Sequence, residues 1–582
     1  MKLSTLRRIA LLGVFVTLWT VTACRNSSQP VTPLNQQPQR ERVLGKRGGA
    51  LKIRVNSPPQ SFNYLKATDE ASVVVAFYLM GGRLAEFDHD SGKYAPGIAE
   101  TWKQAEDGRT VDVTLRDGLK FSDGHPLTAE DVAFTFRALY DPHTASPVFR
   151  DAMLVAGREI EVTVTDERHL RLIFPETVAA PENYLSNLAV LPRHALEAEF
   201  NQGTLSEAYG LNTDPQRVIV AGAFTLMAAI PSERIMLRRN PHYWKKDGAG
   251  TPLPYLDELA IEIVSDANNA IARVKQGSLD ICDRIRPADY AALHAEAAGP
   301  ARALDAGPGL ATDHLWFNLN RTVNPAKLAW FSDVRFRRAV SHAIDRETLA
   351  SVTLQGLATP LYGFVSPGNR AWVANDLART AYDLDKARAL LREAGFVLRN
   401  ADATPELYDA KGNRVELTLI VPIESQPRSQ MATVVQEDLA KLGIKLQIAP
   451  IEFGELTRRI SQSFEYDAAL LGASASEPDP SSYTNLLRSS SPTNSWHPKQ
   501  ASPATAWEAR IDELIAAQSH EINVERRRTL FREVQQILAE QLPVIPIVSR
   551  HLVTASNRRA GNHRPSALLP YSLWNTEELF VH

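Results

Sequence analysis

The stretch "VELTLIVPIESQPRSQMATVVQEDLAKLGIKLQI" (Val415 to Ile448) changes its hydrophobic period twice. Val415, Leu417, Leu419 and Val421 alternate, as on a strand with one buried face. Met431, Val435, Leu439 and Leu442 then recur at helical spacing, and Gly443 suits the left-handed residue that ends a helix. Ile444, Leu446 and Ile448 restore the alternation. Strand, helix of about 16 residues and strand make a βαβ unit, whose crossover joins two parallel strands. The fold class is therefore α/β, at least in the second half of the chain.

Working outward, "DLDKARALLREAG" (Asp383 to Gly395) reads as a helix with Ala387, Leu390, Leu391 and Ala394 on one face and Gly395 at its end. In "FSDVRFRRAVSHAIDRETL" (Phe331 to Leu349), Ser332 is expected to cap a helix that turns Phe336, Val340 and Ala343 inward. Towards the N-terminus, Val111, Val113 and Leu115 alternate on a strand. Thr128 and Asp131 then open a helix carrying Val132, Phe136 and Leu139. The first strand is expected at "GALKIRV" (Gly49 to Val55). These patterns describe framework and core.

Composition bounds the possibilities. The 582 residues exceed what one hydrophobic core organises, so two or more domains are expected. Apolar residues at 44% and charged residues at 23% suit a globular body, and a net charge of −3 with no basic half argues against a nucleic-acid partner. With two cysteines, Cys24 and Cys282, the chain cannot build a disulfide scaffold, and Cys282 reads as a buried small hydrophobe. The histidines are scattered, with no metal-ligand spacing, so no metal or cofactor is expected.

The N-terminus reads as an export signal. Lys2, Arg7 and Arg8 precede the apolar run Ile9 to Ala23, which is short for a spanning helix. The sequence "VTAC" (Val21 to Cys24) resembles a bacterial lipobox, which implies cleavage before Cys24 and its lipidation. The Pro-, Gln- and Ser-rich segment that follows reads as a disordered tether with a reach of roughly 25–30 Å. Several acyl chains would be needed for stable anchoring. The expected location is outside the cytoplasmic membrane, facing the periplasm or cell exterior, with membrane contact through the lipid alone.

From Pro96 to Leu139, "PGIAETWKQAEDGRTVDVTLRDGLKFSDGHPLTAEDVAFTFRAL" carries Trp102, an "EDG" turn, Arg116, Gly118, Phe121, Asp123–Gly124, Pro126 and "TAEDV" in order. This resembles the signature of family 5 extracellular solute-binding proteins, the oligopeptide- and dipeptide-binding components of ABC importers. Further blocks agree in register: "RRNPHYWKKDG" (Arg238 to Gly248), "PYLDELAIEIVSD" (Pro254 to Asp266), "RVKQGSLDI" (Arg273 to Ile281), the Phe331 to Leu349 segment and "LPVIPIV" (Leu542 to Val548). The resemblance implies a two-lobed periplasmic-binding-protein-like fold (type II, cluster C) with an extra subdomain on the first lobe. It divides the chain into a signal peptide (1–23), lipidated Cys24 with its tether (24–47), lobe I (48–74), the extra subdomain (75–205), lobe I again (206–307), lobe II (308–545) and a closing lobe I segment (546–582). It also implies a monomer that hands a peptide or other small solute to ABC permease subunits and makes or breaks no bond.

Peptide-binding members hold the ligand's ammonium with an aspartate in a segment like "GWGADYPDP", because an isolated buried charge is very costly. The matching stretch here is "LLGASASEPDP" (Leu470 to Pro480), with Ser476 at the aspartate's place. Ser474, Ser476, Glu477 and Asp479 are candidates in this loop. Asn56, Ser61, Phe62, Asn63 and Tyr64 follow the first strand, where α/β proteins tend to bind ligands. Trp316, Asn318 and Asn320 come from "WFNLN", whose amides could pair with peptide groups. Gln426 and Arg428 sit where a strand passes into its helix and could hold a carboxylate or another anion. Each of these residues can equally serve as a turn former, cap or surface charge. Ser476 keeps a non-peptide ligand open: a sugar oligomer, a metal chelate or haem. No GxSxG, HExxH or P-loop pattern supports the competing reading, an extracellular hydrolase. Import and receptor-linked signalling share the same capture chemistry.

Overall fold

The computed structural model describes residues 42–144, 147–296, 298–320, 325–400, 405–473 and 477–582. The signal, Cys24 and most of the tether lie outside these residues, as do Ser474 and Ser476. Among the described residues no helix is long and apolar enough to cross a membrane.

Lobe I begins with β1 (Ala50–Val55), as the sequence predicts. It pairs in parallel with β2 (Glu258–Ile263), bringing Leu51 beside Leu259 and Ile53 beside Ile261, all buried. On its other side β1 pairs in parallel with β3 (Ile281–Asp283). Strands Arg234–Arg239 and Phe224–Ile230 extend the sheet antiparallel beyond β2. Between β1 and these strands the chain builds a small antiparallel sheet in the order Ala99–Gln104, Thr110–Leu115, His169–Ile173, Glu161–Val164. Val111, Val113 and Leu115 point inward, and helix Ala129–Tyr140 starts with the Thr128 N–H donating to Asp131 Oδ2 at 2.8 Å. Its core is continuous with that of lobe I.

Lobe II contains β4 (Thr312–Phe317), β5 (Glu416–Pro422), α1 (Gln426–Ala440), β6 (Lys445–Ile451) and β7 (Ala468–Ala473). The βαβ unit is present as predicted, with β5 and β6 parallel and Leu417 opposite Leu446. Gly443 has φ +79°, and a Cβ there would lie 2.7 Å from the Leu407 backbone nitrogen, so glycine answers both conformation and space. Alternation sends residues to two cores. Leu315, Phe317, Leu417 and Leu419 pack with Met431, Val435 and Leu439 of α1. Trp316, Ile420 and Ala469 face helices Ala506–His520 and Val524–Gln541. The helix over 334–343 buries Phe336, Val340 and Ala343, but Asp333, not Ser332, caps it. The preceding helix runs through Ser332, leaving the next residue to accept from the Arg335 N–H.

The lobes are joined by β8 (Val544–Asn557), which grows out of the "LPVIPIV" segment. Its first half pairs with β4; its second half pairs with strand Ala301–Pro308 and with β3. One strand thus threads both lobes into a single twelve-stranded sheet.

Candidate ligand-binding site

Strand register locates a cleft. In lobe II, β5 runs parallel to β6 and β7, so their C-terminal ends share one edge; there Ala473 lies opposite Thr312, and neighbouring Asp313 opposite Val548 of β8. In lobe I, β1 and β3 run parallel, and Asp283, at the C-terminal end of β3, lies opposite Thr554 of β8. The two carboxyl edges therefore face each other along β8, six residues or about 20 Å apart. Open α/β sheets bind ligands outside such edges.

Two groups from the extra subdomain reach lobe II across this cleft. Asn187 Nδ2 donates to Glu477 Oε1 at 2.6 Å. Glu176 and His520 approach to 3.3 Å, and beside them Gly108 (φ +67°) leaves room for Ile522, whose Cδ1 would lie 2.9 Å from an added Cβ. Burial raises the Glu477 carboxyl above its usual value, and the nearby Asp479 charge adds to this against hydrogen bonds from Asn187 and Tyr94. No cation pairs with Glu477 among the described residues. Tyr78, Tyr94 and Tyr184 feel its charge, and burial together with the acids pushes the Tyr184 phenol up to about 12.

Asp479 is built in differently. Arg527 Nη1 and Nη2 donate to its two oxygens at 2.9 Å each, in a buried bidentate pair, and the guanidinium stacks on Trp372 at 5.0 Å. Asp479 also accepts from the Ser481 N–H. It anchors the loop and presents no free oxygen edge.

At the same lobe II edge, Asp313 is buried and accepts from Arg428 Nε and Arg550 Nε, each at 2.8 Å. Burial alone would raise this carboxyl, but the two guanidiniums outweigh it and hold it below the usual range. Arg428 comes from the first turn of α1 and Arg550 from β8, so the cluster ties the hinge to the lobe. A Cβ on Gly472 would collide with Arg428 Nη2.

The other candidates separate cleanly. Gln426 and Arg428 lie in the first turn of α1, at the carboxyl edge of lobe II, and Asn56 is exposed just after β1. Ser61 accepts from the Asn63 N–H, Asn63 caps a short 3-10 turn and donates to the Leu205 carbonyl, and Phe62 and Tyr64 lie in the lobe I core. Trp316 packs in a lobe II core, and Asn318 donates to the Phe464 and Tyr466 carbonyls while accepting from the Asn320 N–H. All three sit at the wrong end of β4: the strand runs antiparallel to β7, so Thr312 and Asp313 reach the cleft, while Trp316 lies near the far end of the strand and Asn318 and Asn320 beyond it. Cys282 is buried beside Arg54, and burial pushes its thiol up to about 11. Sequence reading missed Tyr78, Tyr94, Asn187, Asp313 and Arg550, which chain separation hides from any local pattern.

A model of the family described as "Bacterial extracellular solute-binding proteins, family 5 Middle" matches residues 93–495. A probable ABC transporter-binding protein of Deinococcus radiodurans is 30% identical over 411 residues, 68% of each chain. Di/tripeptide-binding protein 3 of Pseudomonas aeruginosa is 27% identical over 522 residues, 86% of this chain and 89% of its own. In structure, the chain superposes on the ABC transporter substrate-binding protein CtaP of Listeria monocytogenes with a TM-score of 0.74 at 22% identity, covering 92% of this chain and 100% of that one. The chain belongs to family 5 of the bacterial extracellular solute-binding proteins, a family of substrate-binding proteins and not of enzymes.

Proposed function

We propose that this protein captures peptides in the cleft between its lobes and delivers them to the permease of an ABC importer. It acts outside the cytoplasmic membrane as a monomer, held there by lipid on Cys24. The observation that carries the peptide reading is Glu477: an enclosed carboxylate between the lobes, without a cationic partner among the described residues, beside Asn187 and Tyr94. Such a group is costly until a cation reaches it, and a peptide's terminal ammonium supplies that cation. Glu477 thereby takes the part that Ser476, one residue earlier, has no charge to play. The ligand touches both lobes in the closed state alone, so occupancy shifts the hinge equilibrium and marks the loaded protein for the importer.

Mass spectrometry of ligand retained through native purification tests this reading, backed by a thermal-shift panel of peptides of two to ten residues. Retained peptides and stabilisation by several free-amine peptides are expected. A retained sugar oligomer, metal chelate or haem, with no peptide stabilising the protein, removes the peptide part and leaves solute capture.

A further inference from the structure

We propose that residues 42–47, where the chain enters lobe I, dock on the anionic lipid surface that holds Cys24, through Val43 and Leu44 together with Lys46 and Arg47. The inference rests on the proposed lipid anchor and adds a second contact, made by protein, with the same bilayer. Composition changes at this point. Residues 26–39 carry no charge, whereas residues 40–47 hold four basic side chains and one acid.

Lobe I pins the segment by its backbone and turns its side chains outward. The Val43 N–H donates to Asn562 Oδ1 at 3.1 Å, and Asn562 Nδ2 donates back to the Val43 carbonyl at 2.6 Å. Arg42 grips Glu578 with Nε at 3.0 Å and Nη2 at 2.6 Å. Gly45 lies so close to Tyr255 that a Cβ would stand 2.5 Å from a ring carbon. With the backbone held, Val43 and Leu44 remain 54% and 60% exposed. Adjacent apolar side chains held out in water gain nothing from folding, and between cations they suit the boundary of headgroups and acyl chains.

Charge selects the lipid. Lys46 and Arg47 are exposed, and among the described residues neither pairs with a carboxylate. Burial first, and then the nearby Arg47 charge, lower the pKa of the Arg239 guanidinium against its partner Asp257. An anion from outside relieves such crowding of like charge. Placement selects the membrane. Residues 25–41 separate the patch from Cys24, and even fully extended they span about 60 Å. The anchor therefore keeps the patch beside the bilayer at high effective concentration. A lipid joined to a basic patch is a two-signal arrangement that stabilises peripheral binding. Lobe I then rests on the bilayer, and lobe II is left free to move about β8.

The test pairs the exported protein with residues 24–582 made without the signal, which keep both lobes and carry no lipid. Each is sedimented with vesicles of phosphatidylcholine alone or mixed in equal parts with phosphatidylglycerol. Neutral vesicles read the anchor: the exported protein should bind and the lipid-free chain should not. Equal behaviour there removes the lipid anchor alone, and the lipid-free chain still judges the patch. On anionic vesicles at low salt the lipid-free chain is expected to partition at least about tenfold more strongly than on neutral ones, and high salt should erase the difference. K46Q/R47Q should lose at least about tenfold of this binding, and L44S about threefold, with unchanged melting temperatures. No preference for anionic vesicles overturns the proposal. So does a preference that both K46Q/R47Q and L44S keep in full, which assigns the contact to another face.

Discussion

Pro478 alone separates Glu477 from Asp479, and Arg527 closes a buried two-point pair on Asp479 while Glu477 meets an amide and phenols. Breaking the Asp479–Arg527 pair leaves a buried charge without a partner, so D479N or R527Q should cost about 3–5 kcal/mol of stability. Urea denaturation checks this, and an unchanged midpoint would contradict it. Glu477 carries the opposite sign. Its folded pKa lies above the unfolded value, so its contribution to stability is present at low pH and is lost as pH rises from the ordinary glutamate range through the raised value. E477Q should therefore unfold at neutral pH no more easily than wild type, with a flatter pH dependence in that window. Nothing in "SASEPDP" distinguishes the two acids: the arginine that separates them is 48 residues away.

Elements were legible where the hydrophobic period is long. The alternation from Val415 and the helical stripe from Met431 determine β5, α1 and β6, and Gly443 falls where its φ requires. The helix ending at Gly395 likewise keeps Ala387 and Leu391 buried. Strand direction was not legible, because alternation reads the same both ways. The candidates in "WFNLN" therefore fell on the far end of β4, and the cleft-facing Asp313 went unnoticed at the near end. Asn318 is fully buried and binds two carbonyls with its Nδ2, so N318A should destabilise by about 1–3 kcal/mol with unchanged ligand affinity in the folded protein. A comparable loss of affinity, measured by calorimetry below the melting transition, would return Asn318 to the binding site.

For the whole molecule, ordered family blocks from Pro96 onward implied two lobes, and β8 supplies the physical connection between them. The lobes carry separate cores and share that strand, so they can pivot without unpacking either core. The Glu176–His520 pair is exposed and screened by solvent, so it adds little to closure. In the proposed function, closure depends on what the cleft holds, and Glu477 is where an ammonium would couple the lobes. The most direct test is calorimetric titration of Ala-Ala-Ala and its N-acetyl form into wild type and E477Q from pH 5 to 8. Acetylation is expected to weaken wild-type binding at least about tenfold and E477Q binding less than about threefold, with the wild-type preference shrinking as pH falls towards the raised Glu477 value. Equal effects of acetylation on both proteins at every pH would contradict the account.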